Sequence, residues 1–173
     1  MMNPFGETGK FRQRIERSID VYMFRRDVML YAEDDLCFAE LLELALKDGG
    51  FTHKVIRVPD GEQALAYLKG IGKYGNRDIY PFPFVTLLDL KMPRVDGFEV
   101  LQWIREESPF PYLPVVVLTV SEEMRDISKA YKLGANSFLI KPPRLVELKE
   151  MLTMLDSYWF RHNVTSEYSR LKK

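Results

Sequence analysis

The chain has almost no cysteine, few histidines and no excess of either charge. Cys37 is the one cysteine among 173 residues, so no disulfide can form within the chain, which suits a reducing, cytoplasmic compartment. Lys plus Arg and Asp plus Glu balance at 25 each, so bulk charge points neither to nucleic acid nor to a membrane surface as partner. No apolar run approaches the ~20 residues of a membrane span. The charged start, with Glu7, Lys10, Arg12 and Arg14, lacks the apolar core of a signal peptide. There is no internal repeat and no low-complexity tract. His53 and His162, the only histidines, read as structural or surface residues, and neither suggests a phosphotransfer histidine.

What is present is a globular composition, 46% hydrophobic and 29% charged, of a length that suits one domain around one core. Short apolar runs alternate with longer amphipathic stretches. The run Val28–Ala32 ends at the acids Glu33, Asp34 and Asp35. Residues 36–47 repeat Leu36, Ala39, Leu42 and Leu46 on one helical face, and Gly49 and Gly50 stop them. Further strands are expected at 52–58, 84–88, 114–118 and 137–140. Further helices are expected at about 62–68, 96–106, 122–133 and 145–160. Residues 70–83, with three glycines and two prolines, form a loop longer than usual for such connections.

Five strands alternating with five helices, the strands apolar on both faces, predict an α/β fold: a doubly wound, five-stranded parallel sheet covered by helices on both sides. The expected domain spans residues 27–160. A 1–26 extension precedes it and a polar tail, 161–173, follows.

Four of the five strands end in a reactive polar residue: Glu33 with Asp34, Asp89, Thr119 and Lys141. In open α/β sheets the site lies beyond the carboxyl ends of the strands. The fold alone would therefore gather three carboxylates, a hydroxyl and an amine. Taken singly, an Asp after a strand is usually a helix N-cap, a Thr there is structural, and a Lys before Pro is a solvated loop residue. Taken together they make chemical sense. Carboxylates crowded into one place need a cation, and hard oxygen ligands favour Mg2+. A carboxylate can attack phosphorus to form an aspartyl phosphate. A metal, a Lys ammonium and a Thr hydroxyl would then hold the phosphoryl oxygens.

At these residues the sequence resembles the receiver domains of two-component response regulators, which have a flavodoxin-like fold. The segments that carry the resemblance are Leu30-Tyr-Ala-Glu-Asp-Asp35, Leu87-Leu-Asp-Leu-Lys-Met-Pro-Arg-Val-Asp-Gly97, Val115-Val-Val-Leu-Thr-Val-Ser121 and Gly134-Ala-Asn-Ser-Phe-Leu-Ile-Lys-Pro142. The resemblance implies that Asp89 is the phosphoacceptor. It implies a Mg2+ site made by Glu33, Asp34, Asp89 and the main-chain carbonyl of Lys91. Thr119 and Lys141 would bind the phosphoryl group, the Lys141–Pro142 peptide would be cis, and Thr119 and Phe138 would form the switch. Val120 stands where a small residue is usual. It would either narrow access to Asp89 or be a tolerated packing choice. Lys91 and Ser121 occupy positions that influence attack of water on the acyl phosphate.

The long 70–83 loop and the Tyr158-Trp159 ending resemble regulators, without an output domain, that pair with bacterial phytochromes and other hybrid kinases. The expected partners are a histidine kinase or hybrid kinase, a downstream protein or phosphotransfer protein, and a second copy of the chain in a homodimer. The last helix carries more apolar surface than one sheet face needs, with Leu148, Met151, Leu152, Leu155, Tyr158 and Trp159. In the extension, Phe11, Ile15, Ile19 and Met23 recur every four residues between Arg12, Arg14, Glu16 and Arg17, as in an amphipathic helix. It would pack on its own domain, dock on a partner or second subunit, or remain disordered. Arg25, Arg26, Lys172 and Lys173 read as solvated charge.

Two other functions compete. An aspartyl-nucleophile phosphohydrolase would carry a second Asp where Lys91 stands, together with a cap domain that is not evident. A receiver-like docking module could work as a dimer without phosphorylation, although such modules usually lose part of the acidic, Thr and Lys set that is complete here.

Overall fold

The computed structural model describes residues 27–163. The amphipathic stripe expected at residues 11–23 and the end of the polar tail lie outside the described residues. The first strand, β1 (Val28–Ala32), leads to helix α1 (Leu36–Asp48), and β2 (Lys54–Val58) to α2 (Gly61–Lys69). A short 3-10 turn (Gly72–Tyr74) interrupts the long loop before β3 (Val85–Leu88) and α3 (Gly97–Glu106). Strand β4 (Val115–Thr119) precedes α4 (Met124–Lys132), and β5 (Ser137–Ile140) precedes α5 (Leu145–Leu155).

All four strand pairs are parallel, in the order β2-β1-β3-β4-β5. The order reverses at β1, whose two neighbours are β2 and β3. That is the switch point at which doubly wound sheets open a crevice. Successive residues of β3 serve opposite faces. Leu88 packs with α2 and α3 residues such as Tyr67, Val100 and Ile104. Leu87 packs with α1 and α5 residues such as Leu42, Leu148 and Leu152. The continuous apolar runs of the sequence follow from this double burial.

Local chemistry starts the helices where the sequence suggests. Asp35 caps α1 by accepting from the amides of Cys37 and Phe38. Asp96 and Glu99 form a capping box at α3. The last helix departs from expectation. It is α-helical only to Leu155, then continues to His162 in wider turns. Asp156 and Arg161, five residues apart, pair at 2.9 Å, and the Asn163 amide donates to the Tyr158 carbonyl, also five back. Both contacts match the i to i+5 spacing of a π turn. His53 holds Asp156 from the other side at 3.1 Å.

Candidate functional site

The sheet ladder itself lines up the strand ends. The Asp89 amide donates to Ala32, the last residue of β1, at 3.1 Å. The Lys141 amide donates to Thr119, the last residue of β4, at 2.8 Å. The Glu33 amide donates to Val58, the last residue of β2, at 3.0 Å. Residues far apart in sequence therefore share one edge because each continues a hydrogen-bonded strand.

At the centre of that edge lies the ammonium of Lys141. Its Nζ is 2.6 Å from Asp89 Oδ2 and 2.6 Å from Glu33 Oε2. The ammonium also lies over the Phe38 ring, with Nζ 4.6 Å from its centroid. Glu33 and Asp89 are buried, whereas Asp34 is exposed. One carboxylate oxygen from each of the three lies within 4.8 Å of the other two. Three carboxylates, if all ionised, outnumber the one ammonium by two negative charges, and two of them are buried. An all-oxygen donor set with a net deficit of two charges fits a divalent cation.

Further hydrogen bonds hold the acids in place. Tyr31 donates its hydroxyl to Glu33 Oε2 at 3.0 Å, and the Asp35 amide donates to Glu33 Oε1 at 3.1 Å. The Lys91 amide donates to Asp89 Oδ1 at 3.2 Å. Burial pushes the Glu33 carboxyl above the usual carboxylate range, while the Lys141 ammonium opposes that shift. Burial, reinforced by the neighbouring Glu33 carboxylate, also pushes the Tyr31 phenol far up, so it remains a donor.

Glu33, Asp34, Asp89 and Lys141 thus come together as expected. Thr119 closes the neighbouring strand. It is fully buried and its hydroxyl accepts from the Ser121 amide at 3.4 Å. Ser121 in turn donates to Asp126 of α4 at 2.5 Å. Phe138 is half-buried against the core on the α2–α4 side. Val120 is 63% exposed, so it is no packing choice. The expected cis peptide is not found. Lys141–Pro142 is trans, and Lys141 reaches both carboxylates from that ordinary geometry.

Residues 29–153 match the response regulator receiver domain. The chain belongs to this family. Receivers of this kind serve two-component signalling, in which a histidine kinase is the partner. The probable methanogenesis regulatory protein FilR2 of Methanothrix harundinacea is 38% identical over 136 residues, covering 79% of this chain and 85% of that protein. Response regulator Rcp1 of Synechocystis sp. is 36% identical over 132 residues, covering 76% and 88%. A crystal structure of Rcp1 in its Mn2+-bound form superposes with a TM-score of 0.71 at 34% identity, covering 80% of this chain and 98% of that one. The phosphorylated cyanobacterial phytochrome response regulator RcpA superposes with a TM-score of 0.74 at 31% identity, covering 81% and 98%. Among the described residues of this receiver, no helix is long and apolar enough to cross a membrane.

Sequence reasoning missed several supports of the site. Tyr31 reads as one more apolar strand residue, yet it stands two before Glu33 and so points to the same side of the extended chain. That period of two is the signal that could have found it. Arg57 is another, donating its guanidinium to the Glu33 carbonyl at 3.0 Å. Arg94 forks onto Asp60 and Glu62, tying the loop after Asp89 to the start of α2. No local pattern links these residues.

Proposed function

We propose that the protein is a phosphorylation-dependent response regulator that accepts a phosphoryl group from a histidine kinase on Asp89. The observation that carries this reading is the Lys141 ammonium held 2.6 Å from both Asp89 and Glu33, beside a third carboxylate. In the transfer, an Asp89 carboxylate oxygen bonds to phosphorus as the bond from phosphorus to the kinase's histidine nitrogen breaks. The Lys141 ammonium balances charge on the incoming phosphoryl oxygens, and the Thr119 hydroxyl donates to one of them. Glu33, Asp34, Asp89 and the Lys91 carbonyl would hold Mg2+. When bound, that ion offsets the carboxylate and phosphoryl charge. Tyr31 keeps Glu33 aimed at the site, and Lys91 fixes Asp89 through its amide.

The signal leaves when Thr119 follows the phosphoryl group and Phe138 repacks on the next strand. It passes by contact with a downstream protein, by onward phosphotransfer or through a homodimer. The resemblance to phytochrome-associated regulators supports a phytochrome or hybrid kinase as the donor, with the whole exchange in the cytoplasm. Catalysis is limited to the protein's own phosphorylation.

The test is intact-mass measurement after incubation with Mg2+ and acetyl phosphate, beside an Asp89→Ala control. A gain of one phosphoryl group that the control lacks is expected. No gain in folded wild-type protein, nor in a Val120→Ala variant, would replace this reading with that of an unphosphorylated docking module.

A further inference from the structure

Among the described residues, Arg94 is the one residue other than glycine with a positive φ, 68°. Side chains rarely enter this left-handed region, because Cβ crowds the backbone there. The Val95 amide donates to the Pro93 carbonyl at 2.9 Å, a bond that spans Arg94 alone. With φ positive at its centre, this is a three-residue γ-turn of the strained hand. Strain of that kind persists only where the surroundings hold it, and it gathers at functional sites.

Two contacts hold it here. The Arg94 guanidinium forks, donating from Nη2 to Asp60 Oδ2 and from Nε to Glu62 Oε2, the latter at 2.9 Å. Asp60 is buried, and its other oxygen caps α2 by accepting from the Gln63 amide at 2.8 Å. The fork is therefore fastened to the start of a helix. The backbone meets the same helix. A Cβ on Gly61 would lie 2.1 Å from the main-chain oxygen of Val95, so the first turn of α2 leaves the γ-turn no room to shift towards it.

The γ-turn begins two residues after Lys91, and few free torsions lie between. The proline ring fixes φ of Pro93, and a residue before proline is confined to extended conformations. That residue is Met92, whose side chain is buried in the core. At the near end, the Lys91 amide donates to Asp89 Oδ1 at 3.2 Å, and the Gly97 amide closes the loop on the Leu90 carbonyl at 3.0 Å. Residues 91–95 thus form a stiff strut whose far end is Arg94. An exposed ion pair beside a helix start is ordinarily surface charge of little weight. That does not account for a strained backbone at the same residue, where glycine would sit at no cost.

We propose that Arg94 is a positioning residue of the metal site: by clamping the γ-turn to α2 it sets the direction of the Lys91 carbonyl. It acts through the backbone and not by contact with the reacting atoms. The inference deepens, and rests on, the divalent-cation site proposed above.

The experiment measures Mg2+ dissociation constants by titration calorimetry for the unmodified chain, Arg94→Gly, Arg94→Lys and Glu62→Ala. Glycine accepts the positive φ, so Arg94→Gly removes the clamp without adding strain. Lysine keeps a charge beside Asp60 but cannot fork, which guards against a variant that fails to fold. Mg2+ should bind about tenfold more weakly to Arg94→Gly, the scale seen when the supports of metal ligands are removed. Arg94→Lys and Glu62→Ala should show smaller losses. In EDTA, the Lys91 and Val95 amides should exchange faster in Arg94→Gly, while those of β4 stay unchanged. With acetyl phosphate, the Mg2+ concentration for half-maximal phosphorylation should rise about tenfold, and the rate at saturating Mg2+ should hold. Equal dissociation constants, or a loss in Arg94→Gly that neither Arg94→Lys nor Glu62→Ala shares, would overturn the role given to the fork. So would a lower rate at saturating Mg2+, which would place the effect at Asp89 itself. An unmodified chain that binds no Mg2+ would end the metal reading and this one with it. If it binds Mg2+ but takes no phosphoryl group, only the acceptor reading fails, and binding and exchange still decide the role of Arg94.

Discussion

A methyl group placed on Gly97 would lie 2.1 Å from the main-chain oxygen of Asp89. The first turn of α3 thus presses directly on the strand end that carries the proposed acceptor, and the Gly97 amide donates to the Leu90 carbonyl at 3.0 Å. Gly97→Ala must push backbone apart. We expect a loss of about 1–3 kcal/mol, typical of an overpacked site, read by urea denaturation. Because the displaced atoms belong to Asp89 and Leu90, phosphorylation by acetyl phosphate should slow as well.

Lys141→Met removes the one cation between two buried carboxylates. Breaking a buried pair by deleting one partner costs about 3–5 kcal/mol, and Glu33, already pushed toward its neutral form, offsets part of that. Urea midpoints in EDTA should fall accordingly. Millimolar Mg2+ should recover more stability in the variant than in the unmodified protein, because the ion supplies the missing positive charge. An equal Mg2+ increment in both would contradict the charge argument.

Asp34→Asn would separate the proposed metal binding from folding. Its carboxylate is exposed, so in EDTA Asp34→Asn should change stability by no more than about 0.5 kcal/mol. A ligand at a hundred times its dissociation constant stabilises the folded state by about 2.7 kcal/mol. The unmodified protein should gain on that scale from saturating Mg2+, and Asp34→Asn should lose most of the gain. Thermal melting with and without the ion measures both.

Alkaline pH should act through Tyr67. Its phenol is fully buried and donates to the Pro81 carbonyl at 2.5 Å. Burial pushes its pKa well above the ordinary tyrosine value. The neutral phenol therefore contributes fully below about pH 10, the ordinary tyrosine pKa. Its contribution falls as pH rises from there toward the higher folded value. Tyr67→Phe should cost about 1 kcal/mol at neutral pH, yet lose stability less steeply above pH ~10. Urea midpoints across that range give the two slopes.

Val120→Ala tests access to the proposed acceptor, Asp89. The side chain is mostly in solvent and packs on nothing in the core, so stability should hold within about 0.5 kcal/mol. If the branched group shields Asp89, the variant should take phosphate from acetyl phosphate faster than the unmodified protein. An unchanged rate would remove Val120 from any account of access.

Much of this was legible in the chain itself. The five apolar runs are the five strands, and Asp35 and Asp96 start helices where their side chains can reach free amides. The acids after β1 and β3 were visible as a set because they interrupt apolar runs at one polarity of strand end. The long loop was legible only as a loop. Its order comes from Arg77, which donates to the carbonyls of Tyr67, Leu68 and Tyr80, and from the Tyr67–Tyr74–Tyr80 ring cluster. The wide turns after Leu155 were likewise hidden, because an α-helical period describes residues 145–160 equally well until His53 and Arg161 engage Asp156.

By itself the sequence determined which elements form, in what order, and which reactive side chains stand at their ends. Those are local properties of apolar period, capping residues and spacing. Tertiary structure decided that β1 lies between β2 and β3, and that Lys141 at the end of β5 spans β4 to reach Asp89 and Glu33. Parallel strands pair only across crossovers, so nothing within one strand names its neighbour. The pairing of Lys141 with Asp89 and Glu33 arises only when three distant strand ends are buried together.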